Sequence, residues 1–89
     1  MDEWGLTWIE DPTEVVAMIE STGAQVRSET TLARFPGARH WHFGWPGQKG
    51  TLELTWDPKA RRMWFKVAAG RWGPWIEAVI QETQRRWPQ

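Results

Sequence analysis

Between Arg39 and Trp56 the apolar positions alternate with polar ones in two runs separated by Pro46 and Gly47. Trp41, Phe43 and Trp45 alternate with His40, His42 and Gly44. Leu52, Leu54 and Trp56 alternate with Thr51, Glu53 and Thr55. A period of two belongs to a strand with one buried and one solvated face, so the stretch predicts a β-hairpin. Looser alternation runs through residues 25–35 and again through 61–69, where Met63, Phe65 and Val67 oppose Arg62, Trp64 and Lys66. Phe35-Pro36-Gly37-Ala38 has Pro and Gly at the second and third positions of a type II turn, and Asp57-Pro58-Lys59-Ala60 has Pro at the second position of another. Together these signals predict a four-stranded antiparallel meander.

On either side of the meander the period becomes helical. Asp11, Pro12 and Glu14 form a helix start, Val15, Val16, Met18 and Ile19 give an apolar stripe, and Gly23 suits the stop, predicting a helix over 12–22. Pro74 opens a second helix with Trp75, Ile76, Val79, Ile80 and Trp87 on one side and Glu77, Gln81, Glu82, Gln84 and Arg85 on the other. One amphipathic sheet and two amphipathic helices bury their apolar faces most simply in two layers. The expected fold is an α+β two-layer sandwich, αββββα, with both helices on one face of the sheet and residues 1–89 forming one domain. Trp4, Leu6 and Trp8 alternate within residues 1–10, predicting a Trp-containing arm or a short extra strand.

Turn geometry predicts the register. Pairing Phe35 with Ala38, Trp45 with Gly50 and Trp56 with Arg61 puts Leu32, Trp41, Leu54 and Met63 in one inward row and Thr30, Phe43, Leu52 and Phe65 in the next. A one-residue slip would send an entire set to the other face. The outward rows are then Thr31-His42-Glu53-Trp64, Ala33-His40-Thr55-Arg62 and Glu29-Gly44-Thr51-Lys66, with His42 and Glu53 direct neighbours.

Composition adds three constraints. Nine tryptophans and no tyrosine in 89 residues exceed what a thin core easily encloses, so some indoles are expected on the surface, as a partner site or a subunit interface. Lys+Arg and Asp+Glu both number 11, without the basic excess of a dedicated nucleic-acid binder. There is no cysteine, hence no disulfide framework and no thiol chemistry. MDEWGLTWIED lacks a signal pattern, and no apolar run approaches the ~18 residues of a membrane span. A cytoplasmic protein with no membrane contact is expected.

The chemistry-bearing residues lie on the polar side of the sheet. His40 and His42 stand on one side of a strand about 6.5–7 Å apart, and Glu53 can join them. Such a trio suits either a metal ion or a histidine base oriented by a carboxylate. The simpler reading is a solvated, hydrogen-bonded pair, because the later carboxylate of a cupin-like His-X-His motif is replaced by Pro46 and Gly47. Trp64 among Arg62, Lys66 and His42 resembles the exposed aromatic with flanking cations that stacks single-stranded nucleic acid. No nucleophile motif and no phosphate loop occurs: Gly44, Gly47 and Gly50 punctuate a hairpin. Arg71-Trp72-Gly73-Pro74-Trp75 reads as a surface patch with Trp75 buried and Trp72 free.

The order helix, antiparallel strands, helix over residues 12–87 resembles the double-stranded-RNA-binding-like topology, which small toxin ribonucleases of the HicA type share. Their Gly-Ser-His corresponds here to Arg27-Ser28-Glu29-Thr30, without a histidine, so the resemblance carries over no functional residue. The sequence alone points to a non-enzymatic interaction module, a homodimer or a protein-partner binder, using the sheet face (His40, His42, Glu53, Arg62, Trp64, Lys66) and the arm (Trp4, Trp8). The alternatives are single-stranded nucleic-acid binding through Trp64 and its basic neighbours, and a metal or acid/base enzyme using His40, His42 and Glu53. No cofactor, metal or catalytic residue is assigned.

Overall fold

A computed structural model describes residues 2–89. Five strands, β1 (Asp2–Leu6), β2 (Gln25–Leu32), β3 (Phe35–Trp45), β4 (Gln48–Asp57) and β5 (Arg62–Val67), accompany two helices, α1 (Thr13–Ser21) and α2 (Pro74–Arg86). The strands form one antiparallel sheet in the order β1-β5-β4-β3-β2. The fold is therefore α+β with five strands rather than four. The Trp4/Leu6 alternation belongs to an edge strand, and of residues 1–10 only Met1 lies outside the described ones. Trp4 pairs with Phe65 and Leu6 with Met63, which places the arm's apolar side on the core face.

Both helices share one hydrophobic cluster with the sheet. Val15, Met18 and Ile19 of α1 and Trp75, Ile76, Val79 and Ile80 of α2 lie with Trp41, Phe43, Leu52, Leu54, Met63, Phe65 and Val67. Thr13 N–H donates to Asp11 Oδ1 at 3.0 Å, so the acidic start signal works one residue ahead of Pro12. Gly23 closes α1 at φ +116°, and a Cβ there would stand 2.9 Å from the Trp45 ring. The start of α2 is tied to β4: Trp75 Nε1–H donates to Lys49 O at 2.9 Å, and Thr51 N–H donates to Arg71 O at 2.8 Å.

The surplus of indoles is taken up by pairing within the chain. Trp8 stacks on Trp56 (centroids 5.2 Å apart), Trp45 leans on Trp75 (5.7 Å) and Trp4 on Trp72 (6.2 Å). Trp72 alone among the described large apolar residues is exposed, at 41 %. Trp72 is thus free and Trp75 buried, as the Arg71–Trp75 stretch predicted. Half-buried indoles extend a thin core outward instead of leaving it.

The register agrees with the prediction at its centre and departs from it at three places. Arg39 pairs with Trp56, His40 with Thr55, Trp41 with Leu54, His42 with Glu53 and Phe43 with Leu52, as the alternation requires. At the tip Trp45 pairs with Gln48 across a two-residue Pro46-Gly47 turn, and a shift after Phe43 absorbs the difference. β5 is displaced by two residues: Leu54 faces Phe65, Thr55 faces Trp64 and Glu53 faces Lys66. An even slip keeps every face, and it comes from the Asp57–Arg62 closure, in which Arg61 adopts φ +51°.

β2 is displaced by three. Glu29 faces Trp41, Thr30 faces His40 and Ser28 faces His42. This odd slip moves Glu29 to the Trp41 side, where it pairs with Arg39 at 2.8 Å, and it takes Leu32 out of the inward row. Leu32 pairs with Phe35, and the next pair is Thr31 with Arg39, so Pro36, Gly37 and Ala38 bulge out of the ladder. The Pro-Gly signal marks this bulge rather than the hairpin turn, which is Ala33-Arg34.

Among the described residues, no helix is long and apolar enough to cross a membrane.

Candidate metal and ligand site on the open sheet face

The polar face carries two rows across the whole sheet. One is Thr30-His40-Thr55-Trp64-Gly5 and the other Ser28-His42-Glu53-Lys66-Glu3. The first brings the predicted His40 and Thr55 together. The second joins His42 to Glu53, with Lys66 where Trp64 was expected. Trp64 sits one row away, beside Thr55, and Arg62 faces Asp57.

Three side-chain atoms converge. His40 Nε2 and His42 Nε2 are 3.0 Å apart, His40 Nε2 and Glu53 Oε1 3.1 Å, and His42 Nε2 and Glu53 Oε1 3.5 Å. The two rings meet edge to face with centroids 4.9 Å apart, a closer approach than strand spacing alone imposes. Alternation put both imidazoles on one side, and the direct pairing of His42 with Glu53 delivered the carboxylate. The trio forms a group of potential metal ligands. Its side chains are graded in exposure: 9 % for His40, 14 % for Glu53 and 41 % for His42.

Thr55 orients this group. Its hydroxyl lies 2.7 Å from His40 Nδ1 in a buried contact. With Nδ1 protonated and donating to Thr55 Oγ1, the Nε2 lone pair points at His42 and Glu53. Burial is the largest influence on His40 and lowers its pKa below the ordinary 6.5. The charge of His42, and more weakly that of Lys66, act in the same direction, while Glu53 opposes them. His40 is thus held toward its neutral, ligating form.

With Glu53 ionised, no placement of protons makes all three contacts hydrogen bonds at once. If both Nε2 atoms carry protons, each can donate to the Glu53 carboxylate, but two N–H groups then confront each other across 3.0 Å. If only His42 Nε2 carries one, His40 Nε2 and Glu53 Oε1 face each other lone pair to lone pair at 3.1 Å. If only His40 Nε2 does, the bare His42 nitrogen faces the carboxylate oxygen. A cation in front of the three atoms satisfies all of them together. Ligand atoms about 2.0–2.1 Å from a common ion are about 3.0 Å apart at an octahedral angle and about 3.4 Å apart at a tetrahedral one; two of the observed separations fall in that interval and the third, 3.5 Å, lies just above it.

Beside the triangle lies a cavity of about 660 Å³, within the usual range for small-molecule sites. His40, Glu53 and Thr55 line it together with Glu3, Arg62, Trp64 and Lys66, and Leu32, Ala33, Arg34 and Phe35 from the β2–β3 tip overhang it. The 36–38 bulge aims this tip across the sheet, so Phe35 meets Trp64 edge to face at 5.7 Å. The Arg62 guanidinium lies 4.9 Å from the Trp64 ring. Trp64 is 8 % exposed, which corrects the expectation of an open stacking surface.

Trp4 and Trp8 do not join the site: one leans on Trp72 and the other stacks on Trp56. Sequence reasoning missed the roof formed by Leu32, Arg34 and Phe35, because Ala33-Arg34 has no turn chemistry to announce itself. It also missed Glu3, whose strand had no predicted partner. Thr55 was legible as the cross-strand neighbour of His40.

No family model, no curated protein and no solved structure matches the chain.

Proposed function

We propose that this domain binds a first-row divalent cation through His40 Nε2, His42 Nε2 and Glu53 Oε1, and presents it to the adjoining cavity. The observation that carries the reading is the triangle of 3.0, 3.1 and 3.5 Å, in which an ionised Glu53 leaves at least one contact that is not a hydrogen bond. Two imidazoles and one carboxylate suit zinc, nickel, cobalt or iron(II) rather than magnesium or calcium. Three protein ligands leave at least one position for water or a bound molecule. Thr55, fixing His40 from its far nitrogen, is the hydrogen-bonded support that ligating imidazoles usually have.

Calorimetric titration of chelator-stripped protein with zinc and with nickel tests this. Heat saturating at one ion per chain is expected, weakened in His42→Ala and in Glu53→Gln. Absence of heat with both ions overturns the proposal. Because His42 is the most exposed of the three, at 41 %, its alanine variant separates loss of a ligand from loss of the fold.

Contact between two copies of the chain is a second reading, and Trp72 is the observation in its favour. It is exposed and leans on Trp4 of edge strand β1. A sedimentation mass of one chain at high protein concentration overturns it. Stacking of single-stranded nucleic acid has no comparable support, because Phe35 and Arg62 occupy both approaches to Trp64.

A further inference from the structure

The cavity next to the triangle combines apolar walls with an excess of positive charge. Leu32, Phe35 and Trp64 supply the apolar surface, and Arg34, Arg62 and Lys66 outnumber Glu3 and Glu53. Among the described residues none of these three cations makes an ion pair within 4.0 Å. Lys66 stands between Glu53 and Glu3 in its row yet pairs with neither. The Arg62 guanidinium lies over the Trp64 ring. A divalent ion held by two neutral imidazoles and one carboxylate keeps one net positive charge, so loading the site raises the excess further.

We propose that the cavity binds a small monocarboxylate with a flat apolar body, whose carboxylate completes the coordination of the ion and meets Lys66 while its body packs against the apolar wall of Leu32, Phe35 and Trp64. This rests on the metal reading above and names the ligand class of that same site. A dianionic phosphate monoester fits less well. It would leave the apolar surface of Leu32, Phe35 and Trp64 without a partner. An apolar body displaces weakly held water from that roof, and the carboxylate replaces the water on the ion. The Phe35–Trp64 contact already has the edge-to-face geometry that a ring inserted at the mouth can extend.

Cobalt(II) is both the test ion and the reporter. Chelator-stripped protein is loaded with one equivalent of cobalt(II), and its visible absorption is followed while benzoate or the neutral analogue benzyl alcohol is added. Trp fluorescence is read in parallel. The expected result is a saturable change of the cobalt bands and of the fluorescence with benzoate and none with benzyl alcohol. Lys66→Met should raise the benzoate dissociation constant at least tenfold, with the cobalt bands confirming in the same cuvette that the ion is bound. Cobalt bands that benzoate leaves unmoved overturn the ligand proposal and leave the metal reading standing. An unchanged benzoate response in Lys66→Met also overturns it, because the carboxylate is then not meeting that amine. Failure to take up cobalt removes both.

Discussion

Replacing Thr55 with Val separates the metal reading from a purely structural one. The two side chains have nearly the same shape, and Thr55 is buried, so the substitution removes little but the hydroxyl 2.7 Å from His40 Nδ1. Two costs follow, and they appear in different measurements. In the metal-free protein a buried imidazole nitrogen loses its partner, which costs about 1–3 kcal/mol of stability. In metal binding, the ring loses the contact that fixes its tautomer and its rotation, and the aim of Nε2 at the ion is lost. Loss of such support typically lowers affinity about 10–100-fold, or about 1.4–2.7 kcal/mol. The assay pairs urea unfolding of stripped protein with competition for zinc against a chromophoric chelator. Thr55→Ser, which keeps the hydroxyl, should restore most of the affinity. A Thr55→Val protein that is less stable but binds zinc within twofold of the parent would refute the orienting role and leave Thr55 a core hydrogen-bonding residue only.

Four further outcomes follow. His40 has a lowered pKa in the fold, mainly through burial, with His42 and Lys66 adding to it and Glu53 opposing. The unfolded chain therefore binds more protons below about pH 6.5, and the stability contributed by neutral His40 is lost as pH falls from there through the folded value. Urea midpoints of stripped protein at pH 7.5 and 5.5 should differ more in the parent than in His40→Asn, and an equal or reversed difference contradicts this. Gly23→Ala should cost more than about 1 kcal/mol in urea unfolding, because φ is +116° and the new Cβ would meet the Trp45 ring at 2.9 Å; a neutral effect would contradict the placement of Trp45. Phe43→Ala, at a fully buried position, should cost about 3–5 kcal/mol, a loss that the same unfolding curves would register. Oligonucleotides at low salt should leave Trp fluorescence unquenched, because Trp64 is covered; strong salt-sensitive quenching would contradict the roof formed by Phe35 and Arg62.

How much of this was legible in the sequence varied strand by strand, according to what fixes register. In β3 and β4, the alternation of Trp41 and Phe43 with Leu52 and Leu54 excludes odd slips, the assumed Trp45–Gly50 closure chose among the even ones, and the pairing of His42 with Glu53 followed from the two together. Met63, Phe65 and Val67 fix which face of β5 is buried but tolerate an even slip, so the faces were right while Lys66 took the place of Trp64 opposite Glu53. β2 reads QVRSETTL, with little apolar pattern to bury, and its register was free to be wrong by three. β1 showed its alternation but not its partner. For the site, the ligand trio and Thr55 were within reach of the sequence. The cavity was not, because it depends on a bulge at Pro36-Gly37 that carries the signature of a turn.

The most direct test of the central claim is the zinc K-edge X-ray absorption spectrum of protein loaded with one equivalent of zinc. The account predicts a first shell of nitrogen and oxygen at about 2.0–2.1 Å with the multiple-scattering pattern of two imidazoles, falling to one imidazole in His42→Ala. A first shell of oxygen alone, or a spectrum unchanged by His42→Ala, would contradict it.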